Sequence, residues 1–215
     1  MGKANQGVFG NFSGKVGNVV GRIREGRNVY AIYQPVVNNP QTISQKRVRQ
    51  QLQLISQFCS KCLGFLQKGF GDLDGYKYGS AYSSAVGKNL KETLAISGTY
   101  PNQQIAFDKV LLAYGSLDNP YTPTATAENG ELSVGWTDNT GLGNAEADDE
   151  VMLLAYNSSK HQSVYNLNAA ARSDRSAVLT LPATWSGDSI EGYMAMYKDA
   201  KRMASKSIHL GSFTA

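Results

Sequence analysis

The stretch IEGYMAMY, residues 190–197, alternates two series of side chains along its length. Tyr193, Ala195 and Tyr197 form one series, and Met194 and Met196 form the other. Such alternation is typical of a β-strand, because successive side chains in a strand point to opposite faces of the sheet. This stretch therefore predicts one of the short strands of a β-fold.

Further short strands are predicted on both sides of it. They cover residues 110–114, 132–136, 151–156, 164–167, 177–181 and 205–210. The segment SLDNPYTPTATAENG, residues 116–130, is rich in Pro, Asn and Thr and is expected to form a connector. Six or seven short strands with regular turn signals indicate an antiparallel β-sandwich.

The segments ELSVGW, EVMLLAYN, AVLTLP and GDSIEGYMAMYK follow one another in an order that resembles a fibronectin type III or immunoglobulin-like domain. The resemblance implies that Trp136 is the buried core tryptophan and that Tyr193 occupies a corner position. It also implies that Leu179 and Leu181 lead into a turn. Domains of this kind usually bind or space other molecules.

A helical pattern precedes the sandwich. Apolar residues recur at spacings of three and four, a helical period: Val48, Leu52, Ile55, Cys59, Cys62 and Leu66. Pro40 is expected to open this helix, and a second helix is expected over residues 81–94. The C-x-x-C pair permits a redox or zinc site, but its place on the apolar stripe favours buried structural cysteines.

The stretch SGKVGNVVGRIREGRNVYAIYQP, residues 13–35, predicts a β-hairpin with strands over 16–24 and 28–34 around a turn at 25–28. Val16, Val19, Val20 and Ile23 are expected to face Val29, Tyr30, Ile32 and Tyr33 across it. An isolated hairpin is marginal in water, so it should need a partner to pair with. The glycines allow another backbone to come close.

Charge is unevenly distributed along the chain. Residues 1–50 carry eight Lys and Arg against one acid, Glu25, whereas residues 101–215 carry eight bases against 13 acids. This polarity suits a basic arm that meets nucleic acid or the acidic surface of a neighbouring subunit. The candidate contacts are Lys15, Arg22, Arg24, Arg27, Lys46, Arg47 and Arg49.

Catalytic motifs are not recognisable in the sequence. GNFSGKVG lacks the Ser or Thr and the spacing of a phosphate-binding loop. Asp138, Asn139, Asp148, Asp149 and Glu150 could offer oxygen ligands to calcium but lack an ordered ligand spacing. His161 and His209 have no neighbouring carboxylate pattern in the sequence. The sequence predicts no enzyme activity, no cofactor and no metal site.

Segments along the whole chain resemble an uncharacterised family of about 200-residue proteins from Bacteroidota and their phages. They include GVFGNFSGKVGNVVG, GTYPN, VLLAYGSL, GWTDNTGLGNAEADDEVMLLAYN, AARSDRSAVLTLP and SKSIHLGSF. The resemblance implies a fold and a source but no activity.

We therefore predict an α+β protein with three parts: a basic hairpin arm over 1–40, a helical segment over 41–100 and a β-sandwich over 101–215. The predicted function is that of a non-enzymatic structural protein, a bacteriophage virion component. It would assemble through its arm, by adding strands to itself or to other virion proteins.

Two alternatives remain open. One is a non-specific nucleic-acid-binding protein that uses the basic half, and the other is an adhesin-like binding module. No signal peptide and no membrane-spanning run are recognisable. The expected location is the virion, or the host cytoplasm before assembly.

Overall fold

The structure is a computed structural model that describes residues 12–24, 26–36, 39–70, 80–91 and 94–215, together with the backbone of 3–4. The predicted turn residue Glu25 and residues 92–93 of the second predicted helix lie outside the described residues. By packing, the chain forms two compact units, residues 1–42 and 43–215. The division into three parts stays a prediction about domains.

The first unit is a four-stranded antiparallel sheet in the order β1-β2-β3-β4, which we call the N-terminal sheet. Its strands are β1 Lys3–Ala4, β2 Phe12–Val16, β3 Val19–Arg24 and β4 Arg27–Ile32. The predicted hairpin is confirmed as β3 and β4, but the strand predicted over 16–24 begins only at Val19, and the strand predicted over 28–34 covers Arg27–Ile32. The structure adds β2, which joins β3 through a two-residue turn at Gly17 and Asn18, with Gly17 at φ +57°. Glycine adopts this left-handed conformation at little cost.

Among its described residues, the second unit begins with three helices, α1 Ile43–Lys61, α2 Leu63–Gly69 and α3 Ala81–Lys91. Helix α1 begins at Ile43, three residues after Pro40, so Pro40 does not open it as predicted. The predicted stripe is buried from Ile55 onward, whereas Val48 and Leu52 are exposed. No helix in the described part of the chain is long and apolar enough to span a membrane.

An antiparallel β-sandwich follows, as predicted. One sheet has the order β11-β8-β7, and the other has the order β10-β9-β12-β13, with β14 also paired to β12. The strands of the sandwich are β7 Tyr121–Glu128, β8 Glu131–Thr137, β9 Glu150–Asn157, β10 Gln162–Ala171, β11 Ser176–Thr180, β12 Ser189–Lys198, β13 Met203–Ala204 and β14 Ile208–Thr214. Before them, β5 Ile96–Ser97 and β6 Gln104–Ile105 pair with each other in a separate two-stranded sheet. Short 3₁₀ turns cover Phe107–Lys109, Arg172–Asp174, Ala183–Trp185 and Asp199–Lys201.

Strand β12 lies in the middle layer of the second unit and is covered on both faces. Met194 and Met196 pack in the core between the two sheets, with Trp136. Tyr193, Ala195 and the other residues of that series pack in a second core formed with the helices. The two apolar series of this strand therefore correspond to two separate cores.

The strand predicted over residues 110–114 does not form. This segment is buried, but its backbone bonds to two side chains and to single backbone groups of Gly69, Phe107 and Ser207 instead of forming a ladder with a strand. Leu111 exchanges two hydrogen bonds with the amide of Asn89, and the Leu112 N–H donates to Ser207 Oγ. Such pairing satisfies buried backbone groups without a ladder.

Three further expectations need correction. The expected connector over 116–130 contains strand β7, whose Ala125 and Ala127 pack against the inter-sheet core. The strand expected over 205–210 begins only at Ile208. Tyr193 is fully buried, but its hydroxyl donates to the Phe107 carbonyl at 2.9 Å, outside the sandwich strands, and so forms no corner.

Candidate assembly and nucleic-acid interface

The register of the N-terminal sheet sorts its side chains by chemistry onto two faces. Gly21 pairs with Gly14 and Tyr30, and Val19 pairs with Val16 and Ile32. Directly opposed residues share a face, and the side alternates along each strand. One face, which we call the apolar face, therefore carries Phe12, Val16, Val19, Ile23, Tyr30 and Ile32.

The apolar face is organised around a glycine. The rings of Phe12 and Tyr30 lie 5.0 Å apart. A Cβ atom on Gly21 would come within 2.9 Å of the Phe12 ring and 2.3 Å of its carbonyl oxygen. The close backbone approach predicted from the glycines thus occurs inside the sheet itself.

Most of this face remains open to solvent. Ile32 is 80% exposed, Ile23 61% and Val16 52%. Scattered surface hydrophobics are ordinary, but a contiguous apolar patch marks an interaction site.

The opposite face, which we call the basic face, carries Lys15, Arg22, Arg24 and Arg27. Lys15 pairs with Val20, and Arg24 pairs with Arg27, so all four predicted contact residues of this unit share one side of the sheet. Lys15 Nζ lies 3.4 Å from the centre of the Tyr33 ring, which places Tyr33 on this side as well. The sequence analysis grouped Val20, Val29 and Tyr33 with the residues of the apolar face. The register places these three on the basic face instead.

The other three predicted contacts, Lys46, Arg47 and Arg49, belong to the second unit. They lie in the first two turns of α1, which has no acidic residue in its first turn. Lys46 and Arg49 share a side of the helix and Arg47 does not, so they form no single face. Cations at this end are unfavourable for the helix dipole.

The second unit, by contrast, buries charge in a closed network. Arg172 is fully buried, and its Nε donates to Asp149 Oδ2 at 2.9 Å. Its other nitrogens donate to Asn139 Oδ1 at 2.6 Å and to the Asp118 carbonyl at 2.8 Å. Lys198 Nζ lies 3.6 Å from the second oxygen of Asp149. This network ties the long loop between β8 and β9 to the sandwich.

Three of the acids considered as calcium ligands each bind a different partner within the second unit. Asp149 binds Arg172, and Glu150 forms an ion pair with Lys68. Asp138 accepts a 2.6 Å hydrogen bond from the Thr140 hydroxyl, which lowers the pKa of its carboxyl. The described residues include no cluster of three or more metal-ligating side chains.

His209 has a carboxylate neighbour that the sequence did not reveal. Its Nε2 lies 2.8 Å from Glu191 Oε2, and the Ser212 hydroxyl donates to the same carboxylate. A nucleophilic triad requires the imidazole between the hydroxyl and the acid. Here both groups bind Glu191, so the arrangement activates no serine and links β12 to β14.

Cys59 and Cys62 are reduced thiols, fully buried in the core with the helices. Burial raises the pKa of the Cys59 thiol to about 12 and that of Cys62 further still. Thiols of this kind are poor nucleophiles and poor metal ligands, because both roles require the thiolate.

Sequence reasoning missed the apolar face and the buried network. The signal for the first was present in VVGRIR, where Val19, Gly21 and Ile23 alternate with Val20, Arg22 and Arg24. Nothing in the local sequence pairs Asp149 with Arg172, which lies 23 residues away.

The described elements define a mixed α+β protein with two units, a two-faced N-terminal sheet and a unit of helices and a β-sandwich. The family of unknown function DUF6266 matches residues 11–211, so the chain belongs to that family.

One solved structure similar to this chain is the fibronectin type III domain of the human collagen α-1(XX) chain. It has 15% identity and a TM-score of 0.30, and the match covers 46% of this chain and 90% of that one. No curated protein matches this chain.

Proposed function

We propose that this protein is a non-enzymatic structural protein that assembles through its N-terminal sheet. The apolar face of that sheet would stack on the same face of a second copy. The observation that carries the proposal is the grouping of six large apolar side chains on one side of a sheet where most of them remain exposed.

A sheet with one apolar face is stable when that face is covered by a second layer. The half-exposed side chains of the apolar face would each contribute about 1 kcal/mol on burial, and two copies together about 10 kcal/mol. Association costs about 4–15 kcal/mol in lost freedom. We therefore expect an association that depends on protein concentration.

Charge favours a second copy in this orientation. When two N-terminal sheets stack through their apolar faces, the two basic faces lie on opposite outer sides of the stacked pair. The arginines of the two copies therefore stay apart. Contact between two basic faces would bring like charges together and would cost energy. A two-fold contact of one patch with itself is also the commonest route to homo-oligomers.

Strand addition, the route predicted from the sequence, is compatible with this contact. β4 is the outer strand of the N-terminal sheet, and strand addition uses main-chain groups at its edge. Face stacking uses side chains instead, so strand addition would extend beyond two copies an assembly that depends on face stacking. That the assembly is a bacteriophage virion stays a prediction from the sequence resemblance.

Analytical ultracentrifugation of the full chain over a range of protein and salt concentrations tests this proposal. We expect the wild type to associate, and association to survive high salt because apolar contacts are not screened. The double variant Ile23→Ser, Ile32→Ser should be monomeric. A matched control is Val178→Ser, Leu142→Ser, which changes two side chains of the second unit that are 48% and 54% exposed.

Two results would contradict the proposal. One is a wild type that stays monomeric at every concentration, and the other is a double variant that associates as strongly as the control.

A further inference from the structure

The basic face of the N-terminal sheet has a charge pattern that its own fold does not explain. Arg24 and Arg27 are directly opposed across β3 and β4, and Arg22 lies two residues from Arg24 on the same side. Directly opposed like charges destabilise an antiparallel pair. An anion bound across them would remove that penalty.

The protein supplies no such anion among its described residues. No acidic side chain there forms an ion pair with Lys15, Arg22, Arg24 or Arg27, and all four are exposed. In the second unit, Arg172, Lys198, Lys160 and Lys68 each pair with a carboxylate. The basic face is thus a set of cations available to an external polyanion.

An aromatic ring accompanies these cations. Tyr33 is 39% exposed, and its ring is held beside Lys15 by the cation–π contact and by a backbone bond from the Tyr33 N–H to the Asn18 carbonyl at 2.7 Å. Aromatic rings interleaved with basic residues are how sequence-tolerant proteins bind single strands, because every base has a face that can stack. The bases of a single strand can stack on such a ring, whereas an acidic protein surface needs only the cations.

We propose that the basic face binds the backbone of single-stranded nucleic acid, with Arg22, Arg24 and Arg27 on successive phosphates and Tyr33 against a base. Guanidinium groups suit this role because their planar forks match phosphate oxygens. The proposal goes beyond assembly and does not depend on it, since it uses the side of the sheet opposite to the apolar face.

Fluorescence anisotropy of the full chain with a fluorescein-labelled oligothymidylate, over a series of KCl concentrations, tests this site. Each phosphate neutralised on a single strand contributes about −0.7 to the slope of log K against log salt. The variant Arg22→Ala, Arg24→Ala, Arg27→Ala should therefore bind more weakly and reduce the size of the slope by about 2. Tyr33→Leu should weaken binding and leave the slope unchanged.

The matched control is Lys91→Ala, Lys109→Ala, Lys206→Ala, which removes the same charge from exposed positions of the second unit. It should retain the wild-type slope. A triple arginine variant with the wild-type slope, or a control that loses as much, would overturn the proposal. So would polyglutamate or a labelled duplex binding as tightly as the oligothymidylate, because the occupant would then be an acidic protein surface or double-stranded nucleic acid.

Ultracentrifugation of the same samples separates the two proposals. The arginine variant should still associate, and the monomeric Ile23→Ser, Ile32→Ser variant should keep the wild-type slope. Loss of oligonucleotide binding with association intact would contradict only the basic-face proposal, and the reverse would contradict only the assembly proposal.

Discussion

Arg172, in a 3₁₀ turn of the second unit, and Arg24, in strand β3 of the N-terminal sheet, have opposite surroundings. Arg172 is fully buried, and its guanidinium binds Asp149, Asn139 and a backbone carbonyl. Arg24 is exposed and faces Arg27. The charge of Arg172 is neutralised within the second unit, whereas no acid among the described residues pairs with Arg24.

Apolar surface is divided between the two units in the same way. Trp136 and Met194 lie in a core between two sheets, whereas Ile23 and Ile32 extend from a sheet that forms no such core. The second unit covers these apolar side chains itself, whereas we propose that those of the N-terminal sheet are covered by a second copy. The expected effects below run from the largest to the smallest.

Replacing Asp149, the buried acid of the Arg172 network, should cause the largest loss of stability. In Asp149→Ala, Arg172 would remain buried with no opposite charge, and leaving a buried ion uncompensated costs about 3–5 kcal/mol. Urea unfolding followed by circular dichroism measures this loss. Asp148→Ala is the control, since Asp148 is adjacent and exposed.

The control should change the free energy of unfolding by less than about 0.5 kcal/mol. Equal, small effects of the two substitutions would mean that the second unit does not rely on internal charge pairing, and the contrast with the N-terminal sheet would fail.

Replacing Gly21 with a larger residue should destabilise only the N-terminal sheet. In Gly21→Val, the new side chain would collide with the Phe12 ring and carbonyl, and overpacking of this kind costs about 1–3 kcal/mol. Hydrogen exchange should lose protection over residues 12–32 and keep it over 150–198. Ala31→Val, which enlarges an exposed residue of β4, is the control and should retain both.

A loss of protection in both regions of Gly21→Val would show that the two units fold as one. The comparison between them would then need to be abandoned.

The smallest effect concerns a surface pair of the second unit. The Lys160 ammonium lies 2.5 Å from Asp188 Oδ2, and its hydrogen bond, with a second from Asn157, lowers the pKa of this carboxyl below the ordinary value of 3.8. Because the folded pKa is lowered, the pair stabilises the protein above the unfolded pKa and is lost as pH falls through the folded value.

Asp188→Asn should therefore lower the urea midpoint slightly near neutral pH, and the difference from wild type should shrink as pH falls below about 4. Asp148→Asn serves as the control with no such trend, because Asp148 is exposed and pairs with no cation among the described residues. A difference that grows with acidity would contradict the assigned pairing.

Local alternation predicted much of this fold. Leu132, Val134 and Trp136 point to one core as expected, and the alternating strand over 190–197 forms the middle of the larger sheet. The helical stripe from Ile55 to Leu66 is buried for the same reason. In each case the period of the apolar residues equals the period of the backbone.

Contacts between distant residues could not be predicted in this way. The segment over 110–114 has the composition of a strand, but Asn89 and Ser207 occupy its backbone groups. The excess of Lys and Arg near the start of the chain identified the basic residues of the candidate site. Their placement on one face depends on the register that pairs Arg24 with Arg27. Register is set by the turns of the folded sheet.

The most direct measurement of the central claim compares maleimide labelling of two single variants, Ile32→Cys and Ala31→Cys. These neighbours lie on the apolar and the basic face, both are exposed, and the buried native thiols should not react. We predict that Cys at position 32 becomes protected as protein concentration rises, while Cys at position 31 reacts at a constant rate. Equal rates at every concentration, or protection of position 32 that dilution does not remove, would contradict assembly through the apolar face.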